Sequence, residues 1–335
     1  MTNTHRTRHS QYAKGFSLIE LMISITIGLV IVVAAMSAYL GASTAGKTSE
    51  AQSRMNEDAQ AALNILAQQI RLAGTNPVQA NREDAFRHNP VYDLTYVGGS
   101  VTSYGNGTTS YTVSSPVSAF SIRGCDGTFS DIITASNLDT LTTCNTPTVA
   151  APSDSIAISY EADKYNTVPT TAGVPTDCVG SAIPTIINAT LGTSTTATFR
   201  VADNRFYITS TANITSLHCK GIGSGTQPLV ENIEDMQFTY GTVSTTDASP
   251  TATVAGYLNA SEVAALGTSP ATDATRWGKV LTVRICVVVR SENPTVPNAA
   301  SGRYVKCDGT TDTTKTDLRL RRSYSTTVVL RNRRF

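Results

Sequence analysis

The 335-residue sequence predicts an α+β protein, in which one long N-terminal helix packs on a mainly antiparallel β-sheet head. Two observations lead to this fold class. The first is a stretch from residue 16 to about residue 73 that is apolar at first and amphipathic with helical periodicity later. The second is a change after residue 75 to short alternating runs separated by Thr, Ser, Gly and Pro. A helix and half-buried strands bury their apolar faces against each other.

The first half of the predicted helix is apolar on all sides. The next charged residue after Glu20 is Lys47, so 26 consecutive residues carry no charge. At about 1.5 Å per residue this run spans about 39 Å, more than the roughly 30 Å hydrocarbon core of a bilayer. Arg6, Arg8 and Lys14 precede the run without a compensating acid. The sequence therefore predicts one membrane span with an N-in, C-out orientation.

The second half of the helix is predicted to pack on the head. Residues 47–73 contain neither proline nor glycine. Apolar residues spaced three or four apart form one face, namely Met55, Ala59, Ala62, Leu66, Ile70 and Ala73. Gly74 and Pro77 follow and are typical helix stops.

The head is predicted to be built from short strands. Alternating or β-branched runs indicate strands at 111–113, 155–160, 196–201, 205–209, 236–240, 280–290 and 324–330, and a short helix at 259–266. Thr/Ser/Gly-rich stretches predict loops at 100–115, 163–177 and 241–253.

Six cysteines lie after the apolar segment, at Cys125, Cys144, Cys178, Cys219, Cys286 and Cys307. They include no CxxC pair, which disfavours a zinc site or a thioredoxin-like motif. An even number beyond a membrane anchor predicts disulfides in an oxidising periplasm. We expect neighbours to pair, as Cys125–Cys144, Cys178–Cys219 and Cys286–Cys307; the alternative is that some are buried thiols.

Sequence motifs for catalysis, cofactor binding and metal binding are weak. His88 and His218 are isolated, and a nucleophilic role for Cys219 beside His218 is less probable than a disulfide. The acids of the loop at Asp308, Asp312 and Asp317 lack the spacing of a calcium loop. No nucleotide-binding or hydrolase signature has the required context. The sequence therefore predicts a protein that is not an enzyme, with no cofactor and no metal.

The charge pattern gives little support for nucleic-acid binding. The net charge is +1, so only a local cluster could attract phosphate. Six arginines lie near the C-terminus, at Arg319, Arg321, Arg322, Arg331, Arg333 and Arg334. They could contact DNA, but we favour the interpretation that they flank a strand and block edge-to-edge aggregation.

Glu20 separates three interpretations of the N-terminus. A secretory signal peptide would be cut after the apolar run, where Val33, Ala34 and Ala35 would tolerate cleavage. An uncleaved signal anchor is the second possibility. Neither explains a carboxylate at this depth, because an ionisable group in a membrane segment usually has a functional partner.

The third interpretation rests on the stretch Gly15-Phe16-Ser17-Leu18-Ile19-Glu20-Leu21. It resembles the class III signal of type IV pilins and of type II secretion pseudopilins, although the 15-residue leader is longer than the shortest in that family. The resemblance implies that a prepilin peptidase cuts after Gly15 and that Phe16 is then N-methylated. It also implies that Glu20 pairs with the N-terminal amine of a neighbouring subunit, which lets two buried charges compensate each other.

A second resemblance narrows the family. The block from Leu229 to Gly241, reading LVENIEDMQFTYG, is similar to PilW-type minor pilins. So are the segments 70–74, 277–280, 283–291 and 322–333. PilW-type pilins are similar in architecture to J-type pseudopilins of type II secretion. The resemblance covers residues 15–74 and 229–335 and leaves 75–228 uncovered.

The resemblance implies a leader at 1–15, an assembly helix at 16–74 and a periplasmic head at 75–335, with a variable part at 75–228 and a PilW-like part at 229–335. It implies a minor pilin that primes pilus assembly in a tip complex and supports adhesion or twitching motility. The expected partners are a prepilin peptidase, other minor pilins, the major pilin and a tip adhesin. A J-type pseudopilin and a DNA-binding or adhesive pilin remain alternatives.

Overall fold

The fold is taken from a computed structural model. It describes residues 15–75, 77, 101–104, 111–113, 121–130, 144–145, 153–183, 186–188, 197–221, 225–243, 253–267 and 276–332. The chain divides into two compact units, and the boundary falls between Glu50 and Ala51, inside the first helix. The second unit contains the C-terminal half of that helix and all strands.

Helix α1 runs without interruption over 55 residues, from Leu18 to Leu72. Its buried side chains are Met55, Ala59, Ala62, Leu66, Ala67 and Ile70. This face is the one that the spacing of apolar residues predicts, with Ala67 in addition. The helix ends where Gly74 adopts a positive φ of 69° and donates its N–H to the carbonyl of Ser159, at 2.9 Å. Glycine enters this conformation without steric cost, which explains the stop.

Fifteen strands form antiparallel sheets among the described residues. Sheet I has the order β3-β4-β7-β8-β9, with β3 Ile122–Cys125, β4 Ser155–Glu161, β7 Val201–Thr211, β8 Ile214–Lys220 and β9 Thr226–Glu231. Sheet II has the order β11-β10-β12-β15, with β10 Ile233–Val243, β11 Val254–Leu258, β12 Val280–Pro294 and β15 Arg319–Val329. Sheet III has the order β2-β1-β5-β6, with β1 Val101–Tyr104, β2 Tyr111–Val113, β5 Ile186–Asn188 and β6 Ala197–Phe199. The hairpin of β13 Tyr304–Val305 and β14 Thr311–Asp312 completes the set.

The short helix α2, Ala260–Ala264, begins at Asn259, whose side chain accepts the N–H of Glu262. A 3-10 turn lies at Ala299–Gly302. The predicted helix at 259–266 is therefore present but shorter, because Asn259 is its N-cap and the helix ends at Ala264.

The prediction of an α+β fold with a long helix and antiparallel sheet is confirmed, and several strands lie where the alternation placed them. The expected loop at 100–115 is wrong in part, since it contains β1, whereas β2 lies at the predicted strand 111–113. Strands β8 and β9 were not predicted. β8 follows β7 through a two-residue turn, in which Ala212 and Asn213 both have positive φ. In a sequence, a turn of this type is usually recognised by the pair Asn-Gly. β9 contains Pro228, which argues against a strand except at a sheet edge.

One apolar core joins α1 to the inner faces of sheets I and II. Leu66 and Ile70 of α1 pack in the same cluster as Ile158 and Phe206 of sheet I and Ile285 of sheet II. All five side chains are fully buried. The stability of the head therefore depends on the C-terminal part of α1, because removing this helix would expose the apolar faces of both sheets to water.

The junction of sheets I and II is built on a buried carboxylate. Asp154, just before β4, accepts the N–H of Phe238 in β10 at 2.8 Å and that of Gly127 after β3 at 3.2 Å. Its own N–H donates to the carbonyl of Met236 at 2.7 Å. Burial raises the pKa of Asp154 to about 8, and the two N–H donors only partly offset this.

This junction predicts a pH dependence of stability. A carboxyl whose pKa lies near 4 when unfolded and near 8 when folded binds more protons in the folded state, so the free energy of unfolding falls as pH rises between them. We expect a higher melting temperature at pH 5 than at pH 8. Asp154→Asn should lower the free energy of unfolding at pH 5, because the amide side chain can accept only one of the two N–H groups. The same substitution should make the free energy of unfolding depend less on pH. Thermal unfolding of the wild-type protein and of Asp154→Asn, followed by circular dichroism at pH 5 and pH 8, measures this difference. If the melting temperatures of the two proteins changed equally with pH, the prediction would be wrong.

Candidate functional site

The N-terminal site begins with a short extended stretch ahead of α1. Gly15, Phe16 and Ser17 are not helical, and the helix begins at Leu18. The Phe16 side chain is 88% exposed, and no neighbouring atom lies within 4 Å of the position of a Cβ at Gly15. The Gly15–Phe16 peptide bond is therefore sterically accessible to a peptidase.

Ser17 and Glu20 cap the helix reciprocally. The Ser17 N–H donates to Glu20 Oε2 at 3.0 Å, and the Glu20 N–H donates to Ser17 Oγ at 3.2 Å. This is a capping box, which satisfies two of the N–H groups that a helix start leaves without partners. This capping box was not predicted, although the spacing Ser-x-x-Glu before an apolar run is its signature. The arrangement holds the Glu20 carboxylate beside the backbone of Ser17, one residue from Phe16.

The helix that follows presents apolar side chains on all sides. Exposed large apolar residues run from Leu18 to Leu40 and include Ile25, Leu29 and Val33. By length and composition, α1 is the one helix in the described part of the chain that could cross a membrane. A soluble surface rarely leaves so much contiguous apolar area open, so this stretch needs lipid or other helices around it.

Three disulfides fasten loops to the head. Cys125–Cys144 joins the end of β3 to a residue bridged with Phe129. Cys178–Cys219 joins the long loop after β4 to β8, and Cys286–Cys307 joins β12 to the β13–β14 hairpin. The pairs are the neighbours that the sequence analysis expected, and no described cysteine is free.

The C-terminal arginines do not form one open cluster. The Arg321 side chain is 2% exposed and pairs with Glu234 and, at 2.6 Å, with Asp317. Lys315 contacts the other oxygen of Glu234 at 2.9 Å. Hydrogen bonds from Arg321 hold the pKa of Asp317 at about 2. Because Arg321 is buried in this network, it cannot reach phosphate without losing both carboxylate partners.

The other arginines of the set have different surroundings. Arg319 lies 3.9 Å from Asp317, and the Arg322 guanidinium lies 5.7 Å from the ring centre of Tyr324. Arg331 is exposed, and Arg333 and Arg334 lie outside the described residues. The cluster that the sequence suggests is therefore divided between an internal ion network and separate surface positions.

The acids considered for calcium are not brought together. Asp308 accepts the N–H and hydroxyl of Thr310 and pairs with Lys306, Asp312 accepts from Thr314, and Asp317 pairs with Arg321. Across the ranges that the structure describes, no three His, Cys, Asp or Glu side chains form a metal-binding group.

His218 forms no catalytic pair with a cysteine in the described structure. His88 lies outside the described residues. His218 packs against the Tyr207 ring at 5.7 Å, and its neighbour Cys219 is in a disulfide, which removes the thiol that a nucleophile would need.

Comparison with known protein families gives two matches. Residues 10–36 match the prokaryotic N-terminal methylation motif, which covers the extended stretch, the capping box and the start of the apolar helix. Residues 205–332 match Type IV Pilus-assembly protein W, and this region contains most of β7, strands β8 to β15 and the Glu234–Arg321 network. The match begins upstream of the block at 229. No curated protein and no solved structure matches the chain significantly.

These two matches lie at opposite ends of one architecture. The methylation motif occupies the start of a long helix, and the pilus-assembly region forms the whole of sheet II, on which the same helix packs. Together the two matches support a PilW-type minor pilin of type IV pili, which is a structural pilin family.

Proposed function

We propose that this protein primes type IV pilus assembly as a minor pilin in a complex at the pilus tip, where it supports adhesion or twitching motility. In this proposal a prepilin peptidase cuts after Gly15, the new N-terminus at Phe16 is N-methylated, and Glu20 docks the subunit. The partners are other minor pilins, the major pilin and a tip adhesin. The protein resides first in the inner membrane, with its head in the periplasm, and then in the fibre.

The observation that carries this proposal is the geometry around Glu20. The carboxylate is fixed at the start of an exposed apolar helix by its bond with Ser17. If apolar helices of several subunits pack together, an unpaired carboxylate there is costly, and a neighbour's N-terminal amine would compensate it. The same pairing would set the axial position of one subunit relative to the next.

The disulfides support a periplasmic head. Three bonds join all six cysteines, and such bonds persist in oxidising compartments such as the periplasm. A head on that side follows from the positive charges before the apolar run.

A deletion strain tests the role. Cells lacking the protein are sheared, major pilin is quantified in the sheared fraction, and exported enzymes are assayed in the medium. Loss of surface pilin with normal export is the expected result. Normal piliation with lost export would instead identify a J-type pseudopilin.

No change in either readout would leave a specialised adhesive or DNA-binding pilin as the remaining function. The burial of Arg321 argues against the DNA-binding variant of that function, because salt-sensitive phosphate contacts need accessible cations.

A further inference from the structure

Strand β15 forms an open edge of sheet II. Its 11 residues pair with β12, and within the described residues β12 is its one hydrogen-bonded neighbour. The side chains of Ser325, Thr327 and Val329 are exposed, and that of Val329 is 57% accessible.

The register shows which backbone groups point out of the sheet. Leu330 donates its N–H to the carbonyl of Leu281 at 2.9 Å, and the pairing continues without a shift from Val329 opposite Thr282 to Arg321 opposite Arg290. In an antiparallel ladder, residues alternate between bonding inward and pointing outward. The outward N–H and C=O groups therefore belong to Ser323, Ser325, Thr327 and Val329.

The other edges of sheets I and II are protected against pairing. β3 is four residues long and buried, β9 contains Pro228, and β11 is five residues long with a bulge opposite Thr242 and Val243. Short strands, prolines and bulges are the usual means of preventing edge-to-edge contact. In contrast, residues 323–330, which comprise the last seven residues of β15 and the adjoining Leu330, contain no charge, no proline and no glycine.

This edge is held in place at both ends by α1. The Tyr324 hydroxyl donates to Asn56 Oδ1 at 2.6 Å, and the Asn332 side chain donates to the carbonyl of Arg71 at 3.0 Å and to Thr75. The strand is thus ordered before any partner arrives, which reduces the entropy lost on pairing.

We propose that the outward edge of β15 binds an extended strand from the head of a different, neighbouring pilin subunit, so that sheet II continues across the subunit boundary. The proposal rests on the pilin role proposed above and adds the surface that selects the partner. Backbone hydrogen bonds would provide affinity, as in other strand-addition interfaces.

The flanking charges argue for a different subunit. Arg322 and Arg331 bound the uncharged stretch. Antiparallel pairing of two copies would bring Arg322 of one copy beside Arg331 of the other. Parallel pairing of two copies would bring each of these arginines beside the same arginine of the other copy. Like charges in adjacent strands are destabilising. The fitting partner therefore has a short uncharged strand with acidic residues at its ends.

Two measurements on the full-length protein in its own cells test this interface. In the first, photoreactive benzoyl-phenylalanine replaces Ser325 or, as a control at the opposite edge of sheet II, the exposed Ala255. We expect an adduct at residue 325 with a subunit that mass spectrometry identifies as another pilin by its processed N-terminus, and none at 255. An adduct with a second copy of this chain, or no adduct at 325, would overturn the proposal.

The second measurement compares Thr327→Pro with Thr327→Ala. Proline removes one outward N–H and no bond to β12, whereas alanine keeps that N–H. We expect about tenfold less protein in sheared filaments for Thr327→Pro, because an edge without its donor pairs poorly. Equal amounts from equally stable proteins would contradict the interface. If Thr327→Pro does not fold, the crosslink at 325 decides. If cells without this protein make normal pili and the adduct at residue 325 still forms in cells that have it, the priming role is refuted and the proposed interface is supported.

Discussion

Glu20→Ala should leave the leader peptide cleaved but exclude the protein from filaments. In the proposed role, the peptidase acts on the Gly15–Phe16 bond, which is four residues upstream of Glu20 and carries an exposed Phe16 side chain. In the same proposal, incorporation needs a carboxylate among packed apolar helices, where loss of one member of an ion pair would cost about 3–5 kcal/mol. That corresponds to a loss of two orders of magnitude or more. Immunoblots of the cell and sheared fractions measure both processing and incorporation.

Glu20→Gln separates charge from helix capping. Glutamine still accepts the Ser17 N–H and so keeps the capping box, but it has no charge to offer a neighbour's amine. We expect Glu20→Gln to fail as severely as Glu20→Ala. Normal incorporation of the glutamine variant would show that Glu20 serves to start the helix, and the docking role would be wrong.

Gly124→Ala should destabilise the head strongly. A Cβ at Gly124 in β3 would lie 2.6 Å from Cζ of Tyr240, and essentially no Cβ contact is that short. Tyr240 is fully buried and packs edge-on against Trp277, with ring centres 5.0 Å apart. The ring therefore has no free space to enter, and either β3 or β10 must move. Overpacking of this kind costs about 3 kcal/mol, which denaturant unfolding of the full-length protein in detergent would measure.

Gly256→Ala is the matched control for this prediction. Gly256 lies in the exposed strand β11, and a Cβ there meets no atom within 4 Å. The same chemical change should alter stability by less than about 0.5 kcal/mol, as surface substitutions usually do. If the two variants unfold at the same denaturant concentration, the folded protein has room for a methyl group between Gly124 and Tyr240, and the prediction is wrong.

The amino-acid pattern is enough to predict the elements whose cause is local. The α1 face is visible because Met55, Ala59 and Leu66 recur with the period of a helix, and a period needs no tertiary contact to be read. The membrane-length apolar run and its single acid, Glu20, are equally visible. Pairing of neighbouring cysteines agrees with the structure: in each pair one cysteine lies in a strand and its partner lies outside the strands, with sequence separations of 19, 41 and 21 residues.

Features that join distant parts of the chain depend instead on tertiary contacts. Nothing near Arg321 in the sequence indicates that its partner is Glu234, 87 residues away, so the arginines looked like a surface cluster. The raised pKa of Asp154 depends on the junction with Phe238, 84 residues away. The division into two sheets and the open edge of β15 depend on which strands become neighbours. Strand pairing depends on hydrogen bonds between backbones that all residues share, so the pattern of side chains predicts a strand but not its partner.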